Sequence, residues 1–268
     1  MDHRCIRFER RGSVALVTLD RPERANAMNR TMLAELNAAC DTVEADETIG
    51  ALVVTGAGGV FSSGFDLKEQ AEAPPEGVAQ WRDVLRDDFD TVMRFWHLSK
   101  PTVAAVRGPA LAGGCELALA CDVTVAAEDA RFGEPELRFG AGIVVMLLPW
   151  LAGPKHAKEI LLSGEDQIGA RSACEIGLVN RVVANGEEVD AALALASRMA
   201  AIEPALRRRT KATINRMYRM MGFDAALEMA LDQDLLIEAE GTATKREFLE
   251  IARTHGLRAA IAWRDARG

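Results

Sequence analysis

The sequence has few of the residues that usually build a metal site or a disulfide framework. It contains five cysteines and four histidines among 268 residues. No two cysteines form a CxxC pair, and the histidines do not recur at ligand spacing. Because the cysteines lie mostly among apolar residues, we expect buried free thiols, a reducing compartment and no metal.

A long hydrophobic run and an excess of positive charge are also missing. No stretch approaches the roughly 18 uninterrupted apolar residues of a membrane span, and Met1 to Arg4 do not open one. The formal net charge is −8, which argues against a broad phosphate-binding surface. We therefore expect a cytoplasmic protein that binds neither membrane nor nucleic acid, and that binds any nucleotide group only locally.

The apolar residues that are present, 49% of the chain, are enough for one sizeable domain, alone or with a helical appendage. Residues 14–19 and 51–55 are β-branched and apolar and predict two strands. Between them, apolar residues recur at helical spacing from Met32 to Val43. This strand–helix–strand order favours an α/β fold with a mainly parallel sheet.

A central stretch combines a predicted strand at residues 103–106 with a predicted helix at residues 110–120. Glu116 is the only charged residue inside that helix, and Gly113 and Gly114 lie in its first turn. Paired glycines there leave backbone N–H donors accessible to developing negative charge. The alternative is that the glycines only allow tight packing and that Glu116 reaches a backbone or arginine partner.

Two further motifs surround this stretch. In residues 61–67, small residues around Gly64 allow a close backbone approach, and Asp66 is placed to cap a helix that begins at Leu67. In residues 132–136, Glu134 and Glu136 flank a proline before a strongly apolar segment. Paired acids at the mouth of an apolar pocket are an arrangement in which carboxyl pKa values move apart, although surface exposure would also explain either acid.

The C-terminal part is predicted to be helical. Pro204 begins one helix and Gly222 ends it, and two further helices are predicted for residues 223–238 and 243–253. The basic residues from Arg207 to Lys211 are predicted to form a solvated face. We divide the chain into a core with the active site, residues 1–200, and a helical region for oligomerisation that covers the site, residues 201–268.

From about Val14 to Phe248 the sequence resembles the crotonase superfamily, the enoyl-CoA hydratase/isomerase family. The motifs that carry the resemblance are residues 61–67, 110–117 and 132–136, with Arg21-Pro22 and Asn26-Ala27-Met28. The resemblance implies a spiral of ββα turns, a helical trimerisation region, and a homotrimer or homohexamer. It also implies an acyl-CoA substrate and no separate cofactor.

The resemblance assigns roles residue by residue. The backbone N–H groups of Phe65 and Gly113 would bind the thioester oxygen, Glu116 would activate water, and Glu136 would deliver a proton to the α-carbon. Arg24 is the candidate for the CoA phosphates. The other substrate or CoA contacts that it implies are Ala25, Ala27, Ser63, Gly64, Asp66, Leu67 and Val144.

The presence of both acids favours an enoyl-CoA hydratase over an isomerase. Two departures leave other reactions open: Val144 replaces a glycine whose N–H holds the catalytic water in the typical hydratase, and Glu134 replaces a common glutamine. The alternatives are another acyl-CoA reaction of the superfamily, namely dehydration, isomerisation or thioester hydrolysis, or a catalytically weak paralogue that binds acyl-CoA or RNA. The net charge of −8 argues against RNA.

Overall fold

The structure, a computed structural model, describes residues 3–267. Met1, Asp2 and Gly268, at the outer ends of the two predicted regions, lie outside the described residues. The strands are β1 (Ile6–Arg11), β2 (Val14–Leu19), β3 (Ala51–Gly56), β4 (Thr102–Val106), β5 (Pro109–Leu111), β6 (Val123–Ala127), β7 (Arg131–Gly133), β8 (Ile168–Gly169) and β9 (Arg181–Val183).

The helices alternate with these strands and then fill the C-terminal part. They are α1 (Arg30–Ala45), α2 (Leu67–Glu72), α3 (Gly77–His97), α4 (Gly113–Ala120), α5 (Leu148–Leu151), α6 (Gly153–Ser163), α7 (Ala170–Glu175), α8 (Glu188–Ala200), α9 (Pro204–Met220), α10 (Phe223–Glu240), α11 (Ala243–His255) and α12 (Leu257–Asp265). Within residues 3–267, none combines the length and apolar character needed to cross a membrane.

Six strands form one sheet in the order β1-β2-β3-β4-β6-β9. All neighbouring pairs are parallel except β1 and β2. Every residue of β2 is buried, as expected for a parallel strand covered on both faces. The predicted α/β class with a mainly parallel sheet is therefore confirmed.

Helices cover both faces of this sheet. On one face, Ala192 and Leu195 of α8 pack against Val53 and Val103. On the other, apolar residues of α1, α3 and α4 join the main core. Burial of these two layers removes most of the apolar surface of the strands from water, which is the dominant favourable term in folding.

A second, three-stranded sheet holds the strands β5, β7 and β8. The chain leaves the large sheet at β4, adds β5 to the small sheet and continues into α4. It repeats this order with β6, β7 and the 3₁₀ helix Glu136–Phe139. Two successive ββα-like turns therefore bring Glu116 and Glu136 from different parts of the chain to the same region.

The start of α3 differs from the sequence prediction. The apolar pattern predicts a helix from Trp81, whereas the helix begins at Gly77. The four additional residues are all exposed, the apolar Val78 and Ala79 included, so they add no buried position to the periodic pattern that starts at Trp81.

The predicted solvated face from Arg207 to Lys211 is wrong for two of its members. Arg207 is buried and donates to the carbonyl oxygens of Ala200 at 2.8 Å and Ile202 at 2.9 Å. Lys211 is buried in an ion pair with Asp122 at 2.7 Å. Ala200 and Ile202 precede the helix that begins at Pro204, and Asp122 is distant in sequence. The local cluster of basic residues therefore gives no sign of these partners.

Candidate active site

The helix that carries Glu116 begins three residues later than predicted. Residues Pro109–Leu111 form strand β5, in which Ala110 pairs with Phe132 of β7, and α4 starts at Gly113. The residue before it, Ala112, has φ 55° and ψ −136°, a conformation that costs an alanine roughly 1–3 kcal/mol. The apolar run therefore contains a strand and a sharp turn before the helix.

Two loops meet at this turn. The Leu111 N–H donates to the Ser62 carbonyl at 3.0 Å. A Cβ built on Gly64, whose φ is 97°, would lie 2.8 Å from Ala112 Cβ and 3.1 Å from the Gly113 nitrogen. Gly64 is therefore a position where only glycine allows the two backbones to approach, as the sequence predicts.

Phe65 completes the contact between the loops. A Cβ built on Gly113 would lie 2.5 Å from Cε2 of the Phe65 ring, so this ring packs directly on Gly113. Within residues 3–267, neither the Phe65 N–H nor the Gly113 N–H donates a hydrogen bond to another protein group. Both donors are available for a ligand, and the one on Gly113 lies at the positive end of the α4 dipole.

Asp66 anchors the loop of residues 61–67, which contains Phe65. As predicted, the Asp66 carboxylate caps α2 and accepts from the Lys68 and Glu69 N–H groups at 3.1 and 3.3 Å. Its other oxygen forms an ion pair with Arg21 at 2.9 Å, and Arg21 also donates to the Ala27 carbonyl. The cap therefore ties the loop of residues 61–67 to the loop of residues 21–28.

The remaining predicted contacts surround these loops. The Ser63 N–H donates to the Ala25 carbonyl at 3.0 Å. Arg24 is exposed and lines an open cleft whose other lining residues are Arg21, Asn29, Asp66, Lys68, Glu69 and Glu72. Leu67 packs with a small apolar cluster that includes Phe139 and Phe248. The structure thus brings the predicted contact residues of the two loops together.

Three glutamates form the centre of the site. Glu116 comes from the first turn of α4, Glu134 follows β7, and Glu136 begins the next 3₁₀ helix. One carboxyl oxygen from each lies within 4.8 Å of the others, and the three residues are 1%, 1% and 7% exposed. The predicted pair is therefore a buried group of three.

Glu116 is oriented by the segment that follows Glu136. Its Oε1 accepts a hydrogen bond of 2.9 Å from the Val145 N–H, whereas Oε2 has no partner in residues 3–267. The donor to Glu116 is Val145, the residue after Val144, and the substrate contact that the resemblance assigns to Val144 stays a prediction. Val144 itself is buried in the main core.

Burial and crowding keep protons on these acids. Burial raises the pKa of Glu136 to about 8, and a hydrogen bond from Glu134 offsets part of that rise. Burial and then the neighbouring Glu136 charge raise the pKa of Glu116 and of Glu134 well above the ordinary range. Three like charges at this spacing in a site of low dielectric cannot all be ionised, so the group holds shared protons.

The spacing of these oxygens could also suit a divalent cation, which binds ionised carboxylates. The raised pKa values of the three acids oppose such binding at neutral pH. The expectation of no metal stays a prediction.

The sequence analysis missed a second group of buried charges beside the glutamates. Asp234 and Glu238 of α10 are 2% and 5% exposed, and Lys245 of α11 forms an ion pair with Glu238. Glu238 also accepts from the Gly142 N–H at 3.3 Å. Both acids fall on the apolar stripe of α10 with Leu227 and Leu231, and that pattern was the available signal.

Comparisons with known proteins agree with this architecture. Residues 9–250 match the family model described as enoyl-CoA hydratase/isomerase. The crystal structure of an enoyl-CoA hydratase/isomerase from Xanthobacter autotrophicus Py2 superposes with a TM-score of 0.98 at 60% identity, covering 100% of this chain and 99% of that one.

Two more distant relatives extend the agreement. The short-chain-enoyl-CoA hydratase of Clostridium acetobutylicum is 32% identical over 261 residues, 94% of this chain and 97% of that protein. An enoyl-CoA hydratase structure from Mycobacterium smegmatis has a TM-score of 0.89 at 27% identity, covering 98% of this chain and 94% of that one.

The fold and its structural neighbours define an enzyme of the crotonase superfamily, as the resemblance implied. More narrowly, the chain belongs to the enoyl-CoA hydratase/isomerase family.

Proposed function

We propose that this enzyme is an enoyl-CoA hydratase that reversibly adds water to a 2-enoyl-CoA thioester. The observation that carries the proposal is the approach of the Glu116 and Glu136 carboxyl oxygens, with Glu134, to within 4.8 Å in a buried site. Among the described residues 3–267, each of the two acids has one oxygen without a hydrogen-bond partner. Two such oxygens can contact one water molecule and the carbon atoms next to a thioester carbonyl.

The thioester oxygen would be bound by the free N–H groups of Phe65 and Gly113. Attack of water at C3 moves negative charge onto that oxygen, and donors already in place stabilise it without reorientation. One such donor is typically worth about 10²–10³ in rate. Gly64, which lets the two loops approach, is then as necessary as the donors themselves.

The proton steps balance if the pair of acids holds one proton. Ionised Glu116 takes a proton from the water molecule as the water oxygen bonds to C3. Protonated Glu136 delivers its proton to C2. The pair then again holds one proton, now on Glu116. Positioned acids and bases contribute roughly 10²–10⁴ to the rate.

We also propose that CoA lies across the loops of residues 21–28 and 61–67, with Arg24 near its phosphates and contacts to Ala25, Ala27, Ser63 and Leu67. No further cofactor enters the reaction.

Exposed apolar residues on α9 and α10, among them Met217, Met220 and Met229, support assembly into a homotrimer or homohexamer. The C-terminal helices from residue 201 would carry that interface, and the cytoplasm is the proposed compartment.

Isomerisation is the second candidate, because burial and then the Glu136 charge raise the pKa of Glu116 and so oppose the ionised form that would take a proton from water. Moving a double bond needs only one group that shuttles a proton, and Glu136 would suffice for it. The candidates differ in product mass: hydration adds one water, and isomerisation adds nothing.

Incubation with crotonyl-CoA and longer enoyl-CoA thioesters, followed by mass analysis of the products, tests the proposal. We expect the gain of water. Glu116→Gln and Glu136→Gln should each lower turnover by about 10²–10⁴. Glu159→Gln, on the exposed side of α6, is the matched control and should remain active. Unchanged turnover in both site variants would exclude the mechanism.

A further inference from the structure

Asp234 is a buried carboxylate that the fold does not use. The residue is 2% exposed, and in residues 3–267 neither Oδ1 nor Oδ2 has a hydrogen-bond partner. The neighbouring cation is already engaged: Lys245 is paired with Glu238, and its Nζ lies 4.6 Å from the centre of the Trp81 ring. An unpaired buried carboxyl lowers the stability of the folded protein, so its retention needs a reason.

Asp234 lies close to the segment that carries the glutamate site. A Cβ built on Gly142 would lie 1.9 Å from Asp234 Oδ1, so this oxygen touches the Gly142 backbone. Gly142 lies in the segment that joins Glu136 to Val145, the residue that binds Glu116. The charge of Asp234 also contributes to raising the pKa of both Glu116 and Glu136, after the larger effect of burial.

Other buried acids in this region have clear structural partners. Glu238 accepts from the Gly142 N–H and pairs with Lys245. Asp88 of α3 pairs with Arg30. In the part of the chain that the structure describes, Asp234 has no equivalent contact. Like the proposed catalytic acids, it has buried oxygen that accepts no hydrogen bond there. Free acceptors of this kind are suited to a ligand.

We propose that Asp234 recognises a hydrogen-bond donor, a hydroxyl or an ammonium group, on the acyl chain of the substrate. The inference rests on the proposed function in that the ligand is an acyl-CoA thioester. Two acceptor oxygens require a donor, and a purely apolar chain end would leave the carboxylate unpaired in the complex. Sites that hydrogen-bond a polar group discriminate strongly against the analogue that lacks it.

The buried acids of this region disfavour an acyl chain that ends in a carboxylate. Glu116, Glu134 and Glu136 lie together, Asp234 is near enough for its charge to contribute to raising the pKa of Glu116 and Glu136, and Lys245 is already paired with Glu238. An acyl chain that ends in a carboxylate would add like charge to this region. The recognised group is therefore a neutral donor or a cation.

Calorimetry with unreactive saturated thioesters tests the proposal without turnover. The probes are hexanoyl-CoA, its derivatives with a hydroxyl at C4, C5 or C6, and 6-aminohexanoyl-CoA. We expect the wild type to bind at least one derivative about 10–100-fold more tightly than hexanoyl-CoA, the range for a hydrogen bond to a charged group. Asp234→Leu should bind all probes alike.

Two variants sharpen the reading. Asp234→Asn keeps an acceptor without charge, so it should retain a hydroxyl preference and lose an ammonium preference. Asp232→Leu removes an exposed acid from the same helix and should behave as the wild type does. The melting temperature of Asp234→Leu should not fall, since no hydrogen bond is lost.

Equal binding of all probes by the wild type, a preference that persists in Asp234→Leu, or a marked loss of stability in that variant would each overturn the inference. Turnover of 2-hexenoyl-CoA, measured separately, tests the hydratase proposal. Turnover without tighter binding of a hydroxyl or amino derivative would contradict only the role of Asp234. Tighter binding of such a derivative without turnover or gain of water would support that role and contradict only the hydratase assignment.

Discussion

The Val145 N–H donates a hydrogen bond of 2.9 Å to Oε1 of Glu116, across 29 residues of chain. This bond fixes the carboxyl group of Glu116 and leaves Oε2 buried without a hydrogen-bond partner in residues 3–267. Because Glu136 opens the segment that contains Val145, the positions of the two acids are coupled through one short stretch of backbone.

Stability should decrease as the pH rises from about 5 to 8.5. Burial raises the pKa of Glu136 to about 8 and those of Asp234 and Asp88 to about 7. Unfolded carboxyls titrate near 4, so the folded protein binds more protons between these values. The stabilisation is complete below the unfolded pKa and is lost as the pH passes through the folded values.

Thermal unfolding at pH 5.5, 7 and 8.5 measures this slope. Asp234→Asn should flatten it, and the exposed Asp232→Asn should not. A melting temperature that rises across this range would contradict the assigned pKa directions.

Gly64→Ala should abolish most turnover while the protein still folds. The new Cβ would lie 2.8 Å from Ala112 Cβ and 3.1 Å from the Gly113 nitrogen, so the two loops must separate. Loss of one positioned donor predicts a decrease in kcat of about 10²–10³-fold. Steady-state kinetics with crotonyl-CoA measures it.

Gly59→Ala provides the control for backbone strain. Gly59 also has a positive φ, 75°, but a Cβ there meets nothing within 4 Å. It should cost roughly 1–2 kcal/mol of unfolding free energy and leave the kinetics intact. Equal kinetic losses in the two variants would argue against a specific role for the loop contact.

Lys245→Met should destabilise the protein by about 3–5 kcal/mol, because it leaves the Glu238 carboxylate buried without its cation. The double variant Lys245→Met/Glu238→Gln removes both charges and should recover much of that loss. Urea unfolding of the two variants provides the comparison. A single variant as stable as the double would show that the ion pair is not needed to hold Glu238.

Glu134→Gln should retain most of the turnover, because burial and then the Glu136 charge raise the pKa of Glu134 and favour its neutral acid form, which an amide can imitate. Glu134→Leu removes the hydrogen bond that favours ionised Glu136. Turnover should then fall about tenfold or more, and the basic limb of the pH–rate profile should move to higher pH. Identical profiles in both variants would remove Glu134 from the proton chemistry.

The sequence predicts the fold best where local pattern and tertiary environment agree. The strand at β2 and the Asp66 cap follow from β-branched runs and helix-capping chemistry. The prediction of a helix from Ala110 is wrong because pairing of Ala110 with Phe132 in the small sheet overrides an apolar run that would suit either element.

The site is predicted less completely because several of its contacts are non-local. The glutamates and the Gly64 loop belong to motifs, and the structure brings them together. Asp234 belongs to no recognisable sequence motif. Its proposed role depends on its contact with Gly142, 92 residues earlier in the chain, and on the lack of a hydrogen-bond partner in residues 3–267. Only the assembled core shows both.

The unusual backbone of Ala112 implies that the energetic cost of orienting the backbone N–H groups falls in folding and not in catalysis. A residue at φ 55° and ψ −136° is held there by its neighbours, through the bond from its own N–H to the Gly133 carbonyl at 2.9 Å and through the Gly64 contact. The roughly 1–3 kcal/mol is supplied once, during folding. Each catalytic cycle would then begin with dipoles already facing the nascent charge and little reorganisation energy left to provide.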